Sequence, residues 1–106
     1  DGRKMIDFGL PVAVATDFNP GTAPSKNIFL AMSLACLEMG LNFEEVLTAV
    51  TINAASALNL SDKIGSLEKG KMADIAIFDV DDYKEIPYWL GENLVKKVII
   101  GGKVVK

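Results

Sequence analysis

Hydrophobic and polar positions divide the chain into two parts with different periodicities. Up to about residue 60, an apolar run Leu10–Thr16 ("LPVAVAT") is followed by apolar residues at helical spacing. An unalternating run of this length is typical of a strand buried on both faces of a parallel sheet. Beyond residue 60, glycines separate short strands: Ala73–Asp79 alternates, and "VKKVIIGGKVVK" predicts a hairpin that turns at Gly101-Gly102. The pattern therefore predicts an α/β chain.

Capping signals predict where the central helices begin and end. Ser25 is the predicted N-cap of a helix over residues 26–39, and Gly40 is in position to end it. Asn42 with Glu45 three residues later has the pattern of a capping box, so a second helix is expected from residue 43. In the next helical stretch, "TINAASALNL", Asn53 is the expected cap.

Length and charge limit the classes of function. The chain has 106 residues, the size of one modest domain, and a net charge of −3. This charge argues against a nucleic-acid partner, because phosphate binding needs a basic patch. No apolar run reaches the length of a membrane span, so no membrane partner is expected. Cys36 is the single cysteine, which suits a structural thiol in a reducing, cytoplasmic environment.

The chain contains no histidine. Most metal hydrolases and many acid–base enzymes use imidazole as a ligand or a proton carrier. An enzyme made of this chain alone would therefore be unusual. A lone strand in the first part also lacks the neighbours that a sheet requires, so we expect a missing segment upstream.

The stretch "TDFNPG" supplies the candidate chemistry. Asp17 follows the predicted strand at its carboxyl end, where parallel α/β folds place their active sites. Asp17 is either a turn residue or a metal ligand and general base, and the local pattern leaves both open. Pro20-Gly21 predicts a type II turn. The loop offers the Asn19 side chain, the Gly21 amide and the Thr22 hydroxyl together, which suits a carboxylate or amide of a small substrate.

Three longer stretches carry a family resemblance. "VAVATDFNPGTAPSKNIFLAMSLAC", "AVTINAASALNL" and "IGSLEKGKMADIAIFD" resemble the C-terminal part of imidazolonepropionases, which belong to the metal-dependent amidohydrolase superfamily. The third stretch, with the hairpin "VIIGGKVV", is similar to many amidohydrolases. "TDFNPG" and "PYWLGENLVKKV" are more particular to imidazolonepropionases.

The resemblance implies a partial fold. Residues 1–60 would supply strand 8 and the following helices of a (β/α)8 TIM barrel. Residues 61–106 would supply the C-terminal strands of a small composite β-sandwich domain. The family's histidine ligands have no counterpart here, so the resemblance implies the C-terminal piece of a longer enzyme. The isolated chain is predicted to be inactive.

The resemblance also implies an activity. Imidazolonepropionases hydrolyse 4-imidazolone-5-propanoate to N-formimidoyl-L-glutamate in histidine degradation, with water activated by one divalent metal, zinc or iron. Asp17 matches the family's metal-binding and catalytic aspartate. Asn19 and Gly21 match positions that contact the carboxylate side of the product, and Thr22 matches a substrate contact. A homodimer is implied for the full-length protein.

Two alternatives remain at this stage. Another metal-dependent amidohydrolase, such as a deaminase or a cyclic amidase, would share Asp17 and the sandwich. A non-catalytic α/β module would use Asp17 only to cap a turn. The loop residues that follow Asp17 distinguish the first alternative from an imidazolonepropionase.

Overall fold

Five helices and three strands follow one another in the computed structural model, which describes residues 1–106. The helices are α1 (Gly2–Asp7), α2 (Ile28–Met39), α3 (Phe43–Val50), α4 (Ile52–Ala57) and α5 (Glu85–Tyr88), and the strands are β1 (Ile75–Phe78), β2 (Val95–Ile100) and β3 (Lys103–Val104). The strands form one antiparallel sheet in the order β1-β2-β3. The α/β class and the hairpin between β2 and β3 are therefore confirmed. Gly101 and Gly102 both have positive φ, as a tight hairpin turn requires.

The predicted cap of α2 is wrong by two residues. Asn27 caps the helix, because its Oδ1 accepts hydrogen bonds from the amides of Phe29 and Leu30 at 3.0 and 3.3 Å. Ser25 instead accepts from the Asn27 amide at 3.2 Å. The Asn27 Nδ2 donates to the Gly91 carbonyl at 2.7 Å. This contact across the fold favours Asn27, and it cannot be seen in the local sequence.

The end of α2 and the start of α3 are as predicted. Gly40 has φ of +73° in the left-handed region and ends α2. Asn42 and Glu45 form the complete capping box, with both hydrogen bonds at 2.8 Å. The Glu45 carboxylate also accepts two hydrogen bonds from the Arg3 guanidinium, at 2.9 and 3.0 Å. These two bonds connect α1 to the start of α3, and the Arg3 partner lowers the pKa of Glu45.

One small hydrophobic core lies among the helices. Its fully or nearly buried side chains are Val14, Met32, Ala35, Leu41, Val46, Ala49 and Ile86. Ile86 comes from α5, and Phe78 of β1 packs against the same cluster. Phe78 also meets Phe29 edge to face, with ring centroids 5.9 Å apart. Residues beyond 60 thus share the core of the first part, and the domain boundary after residue 60 stays a prediction.

A large share of the apolar surface remains exposed. Phe8 is 85% exposed, Leu67 78% and Leu37 70%, and many other large apolar side chains are open to solvent. Single apolar side chains on a surface are ordinary, whereas a contiguous patch of them marks an interaction face. As for membranes, none of the helices combines the length and apolar character that crossing one requires.

The predicted strand over residues 10–16 is not formed. The segment is without regular secondary structure and pairs with no other strand of residues 1–106. It contacts the helices through three hydrogen bonds: Leu10 N–H to the Met5 carbonyl at 3.0 Å, Val14 N–H to the Ala49 carbonyl at 3.2 Å, and Asn53 Nδ2 to the Val12 carbonyl at 2.9 Å. A strand exists only through pairing with a neighbour, and the three strands near the C-terminus pair among themselves. We call residues 10–16 the extended segment.

Candidate functional site

Asp17 lies directly after the extended segment in an unusual backbone conformation. Its φ is +50°, and Asn59 is the one other non-glycine residue with positive φ. Aspartate and asparagine tolerate this region better than most residues, but it remains unfavourable and is enriched at functional sites. The side chain is exposed and takes part in none of the ion pairs of the chain. Asp17 thus presents a free carboxylate at the point where the chain turns.

The loop after Asp17 is closed by its own hydrogen bonds. Asn19 and Ala23 exchange two backbone hydrogen bonds, at 3.0 and 3.3 Å. The Asn19 Oδ1 accepts from the amides of Gly21 and Thr22, at 3.0 and 2.7 Å. Its Nδ2 donates to the Asp17 carbonyl at 3.2 Å. The Asn19 side chain therefore holds the loop together and connects it to Asp17.

The predicted type II turn at Pro20-Gly21 is wrong. That turn requires positive φ at its second central residue, and Gly21 lies outside the left-handed region. The Asn19 side chain takes the place of a backbone acceptor in the turn, as asparagine often does. The side-chain hydrogen bonds of Asn19 thus close the bend, while the φ of Gly21 stays outside the left-handed region.

All four candidate site residues come together in this one loop: Asp17, Asn19, Gly21 and Thr22. The amides of Gly21 and Thr22 are engaged by Asn19, so a substrate carboxylate would have to compete for them. The Thr22 side chain is exposed and within 3.1 Å of the Asn19 amide nitrogen. The arrangement offers polar groups of both donor and acceptor type beside one free carboxylate.

Sequence reasoning did not identify Lys26 as a neighbour of this loop. Its Nζ lies 4.7 Å from the centroid of the Phe18 ring, a cation–π contact. Phe18 follows Asp17 directly, so a positive charge is held close to the loop. The sequence does not indicate this contact, because lysines near the start of a helix are common and most of them contact no aromatic ring.

The described chain does not by itself fit a metal ion. No three carboxylate or thiol side chains come close enough together to hold one, and histidine is absent. A catalytic zinc site commonly has three protein ligands and one water. Asp17 can therefore be one ligand at most, and no metal-dependent step follows from these residues alone.

Asn53 has a role that the sequence did not indicate. It lies inside α4, which begins at Ile52, so the prediction that it caps this helix is wrong. Its half-buried side chain donates to the Val12 carbonyl, 41 residues earlier in the chain. The contact bridges α4 and the extended segment that leads to Asp17.

Two larger cavities lie away from the loop. One of 590 Å³ is lined in part by Cys36, Leu37 and Tyr88, and another of 450 Å³ lies between α4 and β1. The four loop residues line neither. Burial raises the pKa of the Cys36 thiol, with a further contribution from the Glu45 charge. A raised thiol pKa disfavours a nucleophile and is consistent with the structural thiol expected from the sequence.

Comparison with known proteins supplies the family. The sequence pattern of the amidohydrolase family matches residues 1–105. Imidazolonepropionase from Alkaliphilus oremlandii (strain OhILAs) is 54% identical over 105 residues, which cover 99% of this chain and 25% of that protein. Imidazolonepropionase from Geobacillus kaustophilus (strain HTA426) is 52% identical over 105 residues, with the same coverage. The chain thus spans about a quarter of the length of the curated relatives it matches.

A solved structure has a similar fold. The crystal structure of an amidohydrolase from Thermotoga maritima MSB8 superposes with a TM-score of 0.75 at 27% identity. The match covers 98% of this chain and 25% of that one. The arrangement of helices and antiparallel strands is therefore shared with part of a larger protein.

Proposed function

We propose that this chain, which belongs to the amidohydrolase family, is the C-terminal part of an imidazolonepropionase. The longer protein would hydrolyse 4-imidazolone-5-propanoate to N-formimidoyl-L-glutamate in histidine degradation. Support comes from relatives of that name at 54% and 52% identity over nearly the whole chain. The single structural observation that carries the proposal is the free Asp17 carboxylate at positive φ, beside a loop closed by Asn19.

The proposal includes a division of the fold. Residues 1–60 would contribute strand 8 and the following helices of a (β/α)8 barrel, and residues 61–106 would contribute strands of a β-sandwich. The extended segment supports the first part, because it has the composition of a strand but no partner among residues 1–106. The second part is supported by β1, which pairs with β2 along one edge and leaves its other edge open.

Asp17 is the proposed metal ligand and catalytic residue. Amidohydrolases are metal-dependent, and the proposed ion, zinc or iron, would supply an activated water. The remaining ligands would lie outside residues 1–106. The Asp17 carboxylate has no ion-pair partner in the chain, so it is available to accept a proton from the water and pass it to the departing nitrogen.

The loop is the proposed substrate contact. Asn19 and Gly21 would face the carboxylate side of the bound molecule, and Thr22 would contact the imidazolone. The internal hydrogen bonds of Asn19 order these groups before binding, which reduces the entropy lost when the substrate is held. The location of the longer protein is proposed to be cytoplasmic, consistent with the single unpaired Cys36.

A homodimer is proposed for the longer protein. The exposed side chains of Leu37, Tyr88 and Leu90 give an apolar surface on which subunits could associate. Light scattering on the purified longer protein tests this. A mass equal to one subunit across a range of concentrations would contradict it.

The proposed activity is tested with an isosteric change. In the longer protein, Asp17→Asn should lower kcat for 4-imidazolone-5-propanoate by roughly 10²–10⁴-fold, the usual contribution of a positioned proton carrier. Asp62→Asn is the matched control, because Asp62 is also exposed and its carboxylate takes part in no ion pair. Turnover and metal content at the wild-type level in Asp17→Asn would overturn the assignment.

A second variant separates imidazolonepropionase from other amidohydrolases. Asn19→Ala should weaken imidazolone turnover while the metal content stays intact, because the Asn19 side chain bonds to the backbone carbonyl of Asp17 and leaves its carboxylate free. Unchanged turnover would contradict the proposed loop contacts. No imidazolone turnover by the wild-type longer protein would instead favour a deaminase or cyclic amidase.

A further inference from the structure

The position of Asp17 depends on a segment that few hydrogen bonds hold. The extended segment has no strand partner among residues 1–106, and its backbone meets the helices at three hydrogen bonds. Two of them join the Leu10 amide to the Met5 carbonyl at 3.0 Å and the Val14 amide to the Ala49 carbonyl at 3.2 Å. The shortest, at 2.9 Å, comes from the Asn53 side chain to the Val12 carbonyl, and it is the one made by a side chain. Val12 lies five residues before Asp17.

We infer that Asn53 is a positioning residue for Asp17: its side-chain amide fixes the extended segment against α4 and so sets where the carboxylate lies. The inference rests on the proposed function of Asp17. Only four residues separate Val12 from Asp17, so we expect a displacement of Val12 to reach Asp17 through the backbone. No other side chain of the helices donates to the backbone of residues 10–16.

The choice of asparagine at this position supports the inference. Asparagine is a weaker helix former than alanine, and Asn53 lies within the first turn of α4 without acting as its cap. Its side chain is half-buried and faces the Val12 carbonyl. Loss of the donor would leave this carbonyl without its protein partner. The helix thus carries a less favourable residue where the segment needs a hydrogen-bond donor.

The charges around the contact make an isosteric test informative. Asn53 and Val12 line a groove that also includes Glu44 and Glu45. An Asn53→Asp carboxylate cannot donate, and it would face the Val12 carbonyl oxygen in a groove that already holds two carboxylates, one of them paired with Arg3. The segment should therefore move away from α4 while the side-chain volume stays the same.

The expected kinetic effect falls on the chemical step. The loop from Asn19 to Ala23 is closed by its own hydrogen bonds and should keep its shape. Asp17 lies between this loop and the extended segment, so a displacement of the segment changes the distance from the Asp17 carboxylate to the reacting groups. Because a misplacement of about 1 Å can cost a hundredfold in rate, Asn53→Asp should lower kcat by about ten- to a hundredfold. KM should change little.

The experiment compares three variants of the longer protein. Asn53→Asp removes the donor, and Asn53→Gln keeps an amide donor on a longer side chain. Asn59→Asp is the matched control: Asn59 is exposed, makes no side-chain hydrogen bond, and has φ of +58°, which aspartate tolerates. The measurements are kcat and KM for 4-imidazolone-5-propanoate, and hydrogen–deuterium exchange of peptides covering residues 10–17.

The outcomes separate the two proposals. A lower kcat and faster exchange over residues 10–17 in Asn53→Asp, partly restored in Asn53→Gln and absent in Asn59→Asp, support the inference. Wild-type kcat or unchanged exchange in Asn53→Asp overturns it, and so does equal impairment in Asn53→Gln, which would indicate general loss of packing. If the wild-type protein does not hydrolyse the imidazolone, the proposed function fails separately, and the exchange data still decide whether Asn53 holds the segment.

Discussion

Helix α3 and the extended segment lie against each other, yet only the helix is complete within the chain. Asn42 and Glu45 cap α3, and its Val46 side chain is fully buried. The extended segment has similar apolar character but only Val14 is buried. A helix satisfies its backbone hydrogen bonds internally, whereas a strand needs a neighbour. The comparison distinguishes surfaces that the chain covers by itself from surfaces that it leaves open.

The largest expected effect compares two positions on the same helix. Met32 and Leu37 both lie on α2, with 2% and 70% exposure. In the 106-residue chain, Met32→Ala should lower the free energy of unfolding by about 2–5 kcal/mol, because it leaves a cavity. Leu37→Ala should change it by less than about 0.5 kcal/mol. Urea unfolding measures both.

The same two variants can be measured in the longer protein, where the exposed side of α2 has further possible partners. If other parts of the protein cover the exposed side of α2, Leu37→Ala should destabilise the longer protein more than the 106-residue chain. Equal small effects in both would show that this side of α2 stays open.

The next effect compares two glycines with the same backbone conformation. Gly65 and Gly70 both have φ of +93°. A Cβ at Gly65 would lie 2.7 Å from the Ala55 Cβ and 3.1 Å from the Ile52 Cα, whereas nothing lies within 4 Å at Gly70. Gly65→Ala should therefore destabilise by about 1–3 kcal/mol more than Gly70→Ala, the usual cost of overpacking. Equal losses of thermal stability in the two variants would mean that backbone strain at positive φ, and not the contact with Ala55, accounts for the destabilisation.

A smaller effect tests the cap of α3. Asn42→Ala removes the acceptor for the Glu45 amide and should lower the free energy of unfolding by about 1 kcal/mol. Asn42→Ser is the control, because serine is also a good N-cap and should retain most of the stability. A serine variant as unstable as the alanine variant would show that the capping hydrogen bond is not the reason Asn42 stabilises the fold.

The smallest effect is a dependence on pH. The hydrogen bond from Arg3 and that from the Asn42 amide lower the pKa of Glu45 below its ordinary value of 4.5. The unfolded state therefore binds a proton at a higher pH than the folded state. The stability from this pair should be complete above about pH 4.5 and lost as the pH falls through the lower folded-state pKa.

The measurement for this pair is the urea midpoint as a function of pH. Glu45→Gln should remove part of the loss below pH 4.5, and Glu38→Gln, at an exposed residue without an ion pair, should not. An identical pH profile in the wild type and Glu45→Gln would contradict the role of the Arg3 pair.

Three features set by a few neighbouring residues were predicted correctly. The capping box of Asn42 and Glu45, the helix end at Gly40 and the turn at Gly101-Gly102 are all as the sequence indicates. Each depends on contacts within about four residues, where the chain has few alternatives. The four candidate site residues were found in one loop for the same reason, since they are adjacent in the sequence.

Features set by distant contacts were missed. Asn27 replaces Ser25 as the cap of α2, and it also bonds to the Gly91 carbonyl 64 residues away. Asn53 was expected to cap a helix and instead bonds to Val12. The hydrogen bonds of Asn19 span only two or three residues and were missed as well, because its side chain could equally have faced a substrate.

The sequence alone determined the class of the fold, the end of α2, the start of α3 and the candidate loop, because these follow from periodicity and short-range hydrogen bonding. It also determined that Asp17 lacks the histidines a metal site would need. The tertiary structure alone decided that residues 10–16 form no strand here and that Asn53 holds them against α4. The physical reason is that strand pairing and side-chain contacts between distant residues depend on which partners are present, and apolar composition does not specify them.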